Sequence, residues 1–301
     1  MCNQKLFFLI LLCFISGNIH LNAQSPDHLN IISYNIFNGF EHGNARQREK
    51  FLIWIKNQKA DVVALQELVD FNAADLEKLA AAYGHPYTAI VKENGYPVGV
   101  TSRFPVEVIS KQTDGFWHGM LHVRTAGLNI IVTHFSPFEW KYRKNEAEKV
   151  IHYVKENNLD SCIILGDLNA HSPFDADELE THEKLKTQMR NWDIKNPQYG
   201  NLYNGQFEYS VISTFLSAGF EDVIGRKVHP AKARMSFPAA FLYKWKWNDR
   251  RREALMERLD YILVSRDLYP FCNAAKVHNG PEAEGISDHY PVSISFKFKK
   301  Q

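Results

Sequence analysis

The chain has 301 residues, 45% of them apolar and 23% charged, with 35 basic against 34 acidic side chains. This is the composition of a soluble globular protein with a sizeable core, and it excludes a low-complexity or repeat architecture. The near-zero charge withholds support from a protein that grips DNA mainly by its backbone.

The chain opens with MCNQKLFFLILLCFISGNIHLNAQ, in which Lys5 precedes an apolar core from Leu6 to Ile15. A run this short, followed by small and polar residues, predicts a secretory signal peptide over residues 1–23. An uncleaved anchor is the alternative. Cleavage after Ala23 would leave 34 basic and 34 acidic residues and two cysteines, Cys162 and Cys272. Export permits a disulfide between them, but two buried thiols fit equally well. The mature protein is expected in the periplasm or outside the cell.

Leu29–Ile36 reads as a buried strand ending in polar residues. Arg46–Lys59 spaces its apolar residues as an amphipathic helix. Asp61–Leu65 is a second buried strand running into Gln66 and Glu67. Asn72 can cap a helix over Ala73–Tyr83 that stops at Gly84. Strands follow near Tyr87–Val91, Val98–Ser102 and Val106–Ser110. A hairpin then joins Met120–Arg124 to Leu128–His134. Lys144–Asn157 is a helix, and CIILGD (Cys162–Asp167) is an apolar strand. Asp175–Trp192 reads as a polar surface helix, and Val211–Ala218 as a short helix stopped by Gly219. Arg258–Ser265 and Val292–Phe298 are the last strands. Interleaved helices and strands with hairpins predict one α/β domain over residues 24–301, with mixed or antiparallel sheets.

Polar residues recur at the ends of these strands: Asn35, Gln66 and Glu67, Thr133 and His134, then Asp167 and Asn169. Side chains there are held by the sheet yet open to the surface, where sites are commonly built. Asp260 interrupts an apolar strand, and a buried carboxylate needs a partner. Asp288-His289 supplies a histidine. Carboxylates, amides and imidazoles without cysteine suit Mg²⁺, Mn²⁺ or Ca²⁺ better than structural zinc. In GDLN, extended backbone would put Asp167 and Asn169 on one side. Gly166 would leave room for a substrate. His171 and Pro173 have no assigned role beyond shaping the loop.

Each piece alone is compatible with a turn or a satisfied core residue. In order, SYNI, VALQEL, GVTSRFPV, VTHFSP, ILGDLNAHSP, RLDYILVS and SDHYPV resemble the endonuclease/exonuclease/phosphatase superfamily of DNase I-like, metal-dependent phosphoesterases, from Ser33 to Val292. The resemblance implies a four-layer α/β sandwich of two packed sheets flanked by helices. It implies Glu67 as the main metal ligand with Asn35 beside it, and Asp288 completing the metal side. Asp167 would orient or deprotonate the attacking water, and Asn169 would hold a phosphate oxygen. His289 would pair with Asp260, and His134 would contact the phosphate. Whether Asp167 or His289 is the base, and whether one metal or two act, stays open.

The substrate is narrowed only in part. The AP-endonuclease branch usually carries tyrosine where His134 stands, which disfavours a repair role, as does export. The stretch Phe237–Arg258 interleaves aromatic and basic residues, among them Trp245, Trp247 and Arg250. Such a mixture can stack bases, meet a lipid interface or form a solvated surface. Trp140–Lys144 has the same character, and His118 can line a pocket or simply pack. The expectation is an exported divalent-metal-dependent phosphodiesterase acting on nucleic acid or a phospholipid head group. A phosphomonoesterase for sugar or inositol phosphates is the alternative within the class, and a non-catalytic binding protein the alternative outside it. No obligate protein partner is evident, and a monomer is expected.

Overall fold

The computed structural model describes residues 26–241 and 249–298. The expected signal peptide, Trp245 and Trp247 lie outside the described residues. Fourteen strands follow one another along the chain: β1 (His28–Asn35), β2 (Val62–Gln66), β3 (Tyr87–Ile90), β4 (Gly99–Ser102), β5 (Glu107–Gln112), β6 (Met120–Thr125), β7 (Leu128–His134), β8 (Cys162–Asp167), β9 (Leu202–Tyr203), β10 (Gln206–Phe207), β11 (Phe220–Asp222), β12 (Asp260–Ser265), β13 (Cys272–Val277) and β14 (Val292–Lys297). They form two six-stranded mixed sheets, ordered β13-β14-β1-β2-β4-β3 and β11-β12-β8-β7-β6-β5, plus the hairpin β9–β10. In each sheet one central pair is parallel, β1 with β2 and β7 with β8, and the other pairs are antiparallel.

The two sheets pack face to face on a core that includes Ile31, Val63, Ile130 and Ile163. Helices Ala45–Gln58 and Ala73–Ala81 cover the outside of the first sheet, and Trp140–Glu156 and Ser210–Ser217 cover the second. The central strands are apolar on both sides because both faces are covered. Asn72 caps its helix as expected, in a reciprocal capping box with Asp75. Among the described residues no helix is long and apolar enough to cross a membrane. Cys162 and Cys272 are buried free thiols in different sheets.

Two segments depart from the sequence reading, and a third lies between its elements. The helix expected from Lys144 begins at Trp140, and its buried face continues through Arg143 and Glu146. Polar residues on a buried face leave no hydrophobic period to read. The helix expected over Asp175–Trp192 is broken: a 3₁₀ turn at Pro173–Asp175 and a short helix Ala176–Leu179 precede Glu183–Lys195. Asp175 is not at the surface, being 1% exposed. It accepts Arg234 Nε and Arg258 Nε at 2.6 Å each, while the Arg258 guanidinium also spans Asp222 at 2.7–2.8 Å. This buried four-residue network ties the start of β12 to the loop after β8. Finally, Phe37–His42 runs through the left-handed region, with φ between 48° and 61°. Each non-glycine residue there costs roughly 1–2 kcal/mol. Phe40, packed on Phe51 and Phe71, anchors the turn.

Candidate active site

The polar strand ends meet at one edge of the sandwich. Asn35, Glu67, His134 and Asp167 lie at or just beyond the carboxyl ends of the parallel strands β1, β2, β7 and β8. Antiparallel β12 enters from the same edge, so Asp260 pairs with Asp167, and His134 pairs with Asp167 from the other side. Ser287 hydrogen-bonds the Asn35 carbonyl at 2.7 Å and so brings Asp288 and His289 to the group.

The contacts form two linked halves. Asp260 Oδ2 lies 2.9 Å from His289 Nδ1, and His289 Nε2 lies 3.6 Å from Asp167 Oδ2. That order fixes the imidazole by one nitrogen and turns the other toward Asp167. On the other half, Asn35 Nδ2 donates at 3.0 Å to both Asp167 Oδ2 and Glu67 Oε1, and the Asn38 N–H donates to Glu67 Oε2 at 2.7 Å. The left-handed turn therefore serves the site: its backbone N–H groups at Asn38 and Gly39 clamp the carboxylate and carbonyl of Glu67. A side chain at Gly39 would put its Cβ 2.0 Å from the Val69 carbonyl.

The loop after β8 works differently from the strand alternation expected for it. Asn169 has φ 48°, and its N–H donates to Asp167 Oδ1 at 3.0 Å, an Asx-type turn. Its amide donates to the Phe135 carbonyl at 3.0 Å. Leu168, between Asp167 and Asn169, is buried in the core. Gly166 clears a neighbouring strand and not a substrate, because a Cβ there would lie 1.8 Å from the Thr133 carbonyl at φ +146°.

Electrostatics separate the roles. Burial pushes the Asp167 carboxyl up to about 7; the His289 charge opposes this and Asp260 adds to it. Burial would lower His289, but Asp260 and Asp167 together hold it well above its usual value, so it carries a proton at neutral pH. Burial, with His118 and His289 beside it, keeps His134 neutral. His118 stacks on His134 at 4.1 Å between centroids and is itself pushed down to about 3 by burial and Lys92. His134 is thus a neutral hydrogen-bonding group 3.5 Å from Asp167, not one half of an ion pair.

Glu67 and Asp288 form an oxygen set suited to a hard divalent ion; Asn35 beside them turns its Nδ2 toward Glu67 and Asp167, and its Oδ1 accepts from the Phe37 N–H at 3.0 Å. Burial raises the Asp288 carboxyl to about 7, His289 opposes this, and the Glu67 carboxylate adds to it. Two carboxylates that repel in this way fit a cation between them. Asp167, Asp260 and His289 also lie within 4.8 Å of one another. There the imidazole already lies between the two carboxylates, so Glu67 and Asp288 are the residues better placed to hold a metal ion.

Glu67, His134, Asp167, Asn169 and His289 line a cleft of about 440 Å³, as does His118. Arg250 is elsewhere: it sits on helix Asp249–Glu253, beside a separate depression with Glu178 and His182. The cleft also recruits Arg143, His171 and Glu257. The basic-aromatic patch around Arg143 flagged that residue, and His171 was left without a role. Glu257 carried no local signal.

A charged imidazole, a carboxylate of raised pKa and clustered buried carboxylates at one strand edge are chemistry that suits hydrolysis of phosphoesters. The chain belongs to the Endonuclease/Exonuclease/phosphatase family, whose pattern it matches over residues 32–289. Similar solved structures include an AP endonuclease from Archaeoglobus fulgidus (22% identity, TM-score 0.67). The 3'-5' exonuclease NExo from Neisseria meningitidis (16%, TM-score 0.64) and the Neisseria 3' phosphatase NExo bound to a product DNA hairpin (15%, TM-score 0.63) also share the fold. Each covers 90% of this chain and 100% of its own. No curated protein matches it. The protein is a phosphoester hydrolase of this family.

Proposed function

We propose that the protein is an exported, divalent-metal-dependent phosphodiesterase. The reading rests on one arrangement: the Asp260–His289–Asp167 relay stands beside the Glu67–Asp288 oxygen set, Asn35 bonds both Asp167 and Glu67, and Glu67, Asp167 and His289 line one cleft. A divalent ion at that oxygen set would supply charge neutralisation at the phosphoryl and leaving oxygens. Asp167 takes a proton from the attacking water as the new P–O bond forms and the ester P–O bond breaks. Its raised pKa suits a base working near neutral pH. Protonated His289, fixed by Asp260, neutralises charge building on the phosphoryl oxygens. Asn169 and neutral His134 orient the phosphate.

Room for two ester arms favours a diester. A second depression of about 690 Å³ runs along helix Glu183–Lys195 and shares Phe138, Asn201 and Glu257 with the first. Export rests on the amino-terminal sequence alone. The names of the similar nucleases make nucleic acid one substrate to test. With Mg²⁺ or Mn²⁺ the protein should hydrolyse bis-p-nitrophenyl phosphate, and EDTA should abolish the activity reversibly. His289→Ala should lower the rate at least about a hundredfold. Full activity in that variant, or full activity in EDTA, would refute the mechanism.

A further inference from the structure

Beside the relay, four polar side chains form a second wall of the cleft and have no part in the chemistry above. Three are almost fully enclosed: Arg143, His171 and Glu257 are 4–6% exposed. They sit on loops and a helix fixed by the catalytic strands. His171 lies four residues after Asp167 and Glu257 three residues before Asp260, and the paired strands β8 and β12 bring them together at 2.7 Å. Arg143 donates to the Ser136 carbonyl and to Asn201 Oδ1 at 3.0 Å each, and its Nε has no partner among the described residues. Glu257 is bridged by its backbone to Phe237, whose ring lies 4.8 Å from His289. None of the four hydrogen-bonds to a residue of the relay among the described residues.

Enclosed polar groups are costly unless hydrogen-bonded; His171 and Glu257 satisfy each other, and Arg143 Nε is left without a partner among the described residues. The charges around it say what would fit. Arg143 is the one lysine or arginine among the described residues lining the cleft, and Glu208, Glu146, Glu257 and Asp167 surround it electrostatically. A second phosphate would meet more carboxylate than cation here. A neutral group that both donates and accepts hydrogen bonds fits better: hydroxyls to the Glu257 carboxylate, and hydroxyl oxygens from Arg143 and His171. Trp117 and Phe138 flank the same cleft with flat apolar faces, against which the C–H face of a sugar-like ring can lie.

Building on the hydrolase reading, we propose that Arg143, Asn201 and the His171–Glu257 pair form a specificity subsite for a neutral polyol carried by the phosphoester, and that it disfavours polyanions. The test compares kcat/KM, with Mg²⁺ or Mn²⁺, for sn-glycero-3-phospho-myo-inositol, inositol 1,4,5-trisphosphate, a single-stranded oligothymidylate and bis-p-nitrophenyl phosphate. The glycerophosphoinositol should exceed the trisphosphate and the oligonucleotide at least tenfold. Glu257→Gln should cut that preference at least tenfold, mainly through KM. His171→Asn provides the same reading if the first variant does not fold, with circular dichroism as the check. Equal or better turnover of the oligonucleotide or trisphosphate, or an unchanged preference in a folded variant, overturns the subsite while hydrolysis of bis-p-nitrophenyl phosphate leaves the hydrolase reading standing. No hydrolysis of that generic ester with either metal would instead remove the hydrolase reading and the subsite with it.

Discussion

Asp260→Asn isolates the charge that holds His289. Asp260 Oδ2 lies 2.9 Å from His289 Nδ1, while Oδ1 has no partner among the described residues. Asparagine can therefore keep its oxygen on the imidazole and turn its NH₂ to the unpartnered side, so the shape survives and the negative charge is lost. Two unit charges about 4 Å apart at an effective dielectric of about 20 attract by about 4 kcal/mol. Asp167 and Asp288 remain near His289 and retain part of the field. A net loss of about 1.5–4 kcal/mol follows, the range spanned by loss of one close opposite charge. If that charge is felt in the transition state, kcat/KM falls by about ten- to a thousandfold. Steady-state hydrolysis of bis-p-nitrophenyl phosphate measures it, with thermal unfolding as a control for the fold. A folded variant within about threefold of the parent would refute the role given to the pair.

Three further outcomes follow from the packing. Arg258→Met leaves Asp175 and Asp222 buried with one guanidinium fewer, and should cost about 3–5 kcal/mol in urea unfolding; less than about 1 kcal/mol would show that the network is dispensable. His278, on the far sheet and bonded to Ser293 at 2.8 Å, is pushed down to about 4 by burial, with Lys276 adding to the effect. Its folded form refuses a proton that the unfolded chain accepts, so its contribution is complete above about pH 6.5 and is lost as the pH falls toward 4, by up to roughly 3 kcal/mol. His278→Gln should flatten the fall in urea midpoint between pH 7 and 4, and an unchanged slope would contradict the assignment. Gly166→Ala drives a Cβ into the Thr133 carbonyl at a left-handed φ and should destabilise by more than about 2 kcal/mol, read by thermal unfolding; a neutral substitution would mean that β7 and β8 are not held as described.

Local chemistry in the chain determined much of this protein. Apolar runs such as Cys162–Leu165 demand burial on both faces, and polar residues that end such runs can only sit at a sheet edge. Those two constraints marked Asn35, Glu67, His134 and Asp167 as strand-end residues, and the family resemblance of the ordered motifs joined them to Asp260 and His289. Asp260 in its apolar strand needed a partner because a buried carboxylate cannot stand alone, and His289 is that partner. The loop after Asp167 was beyond that reasoning. Asn169 is placed by a turn onto Asp167, and Gly166 is required by the approach of β7, neither of which follows from strand alternation. The left-handed turn at Phe37–His42 was invisible for a related reason: its cost is met by packing on Phe51 and Phe71 and by the bonds it gives Glu67, all from distant parts of the chain. Arg143, His171 and Glu257 belong to the same class. Side-chain periodicity records which residues leave water, but it does not record which enclosed polar groups will find one another. That is decided only when β8 and β12 pair and bring the loops at His171 and Glu257 side by side.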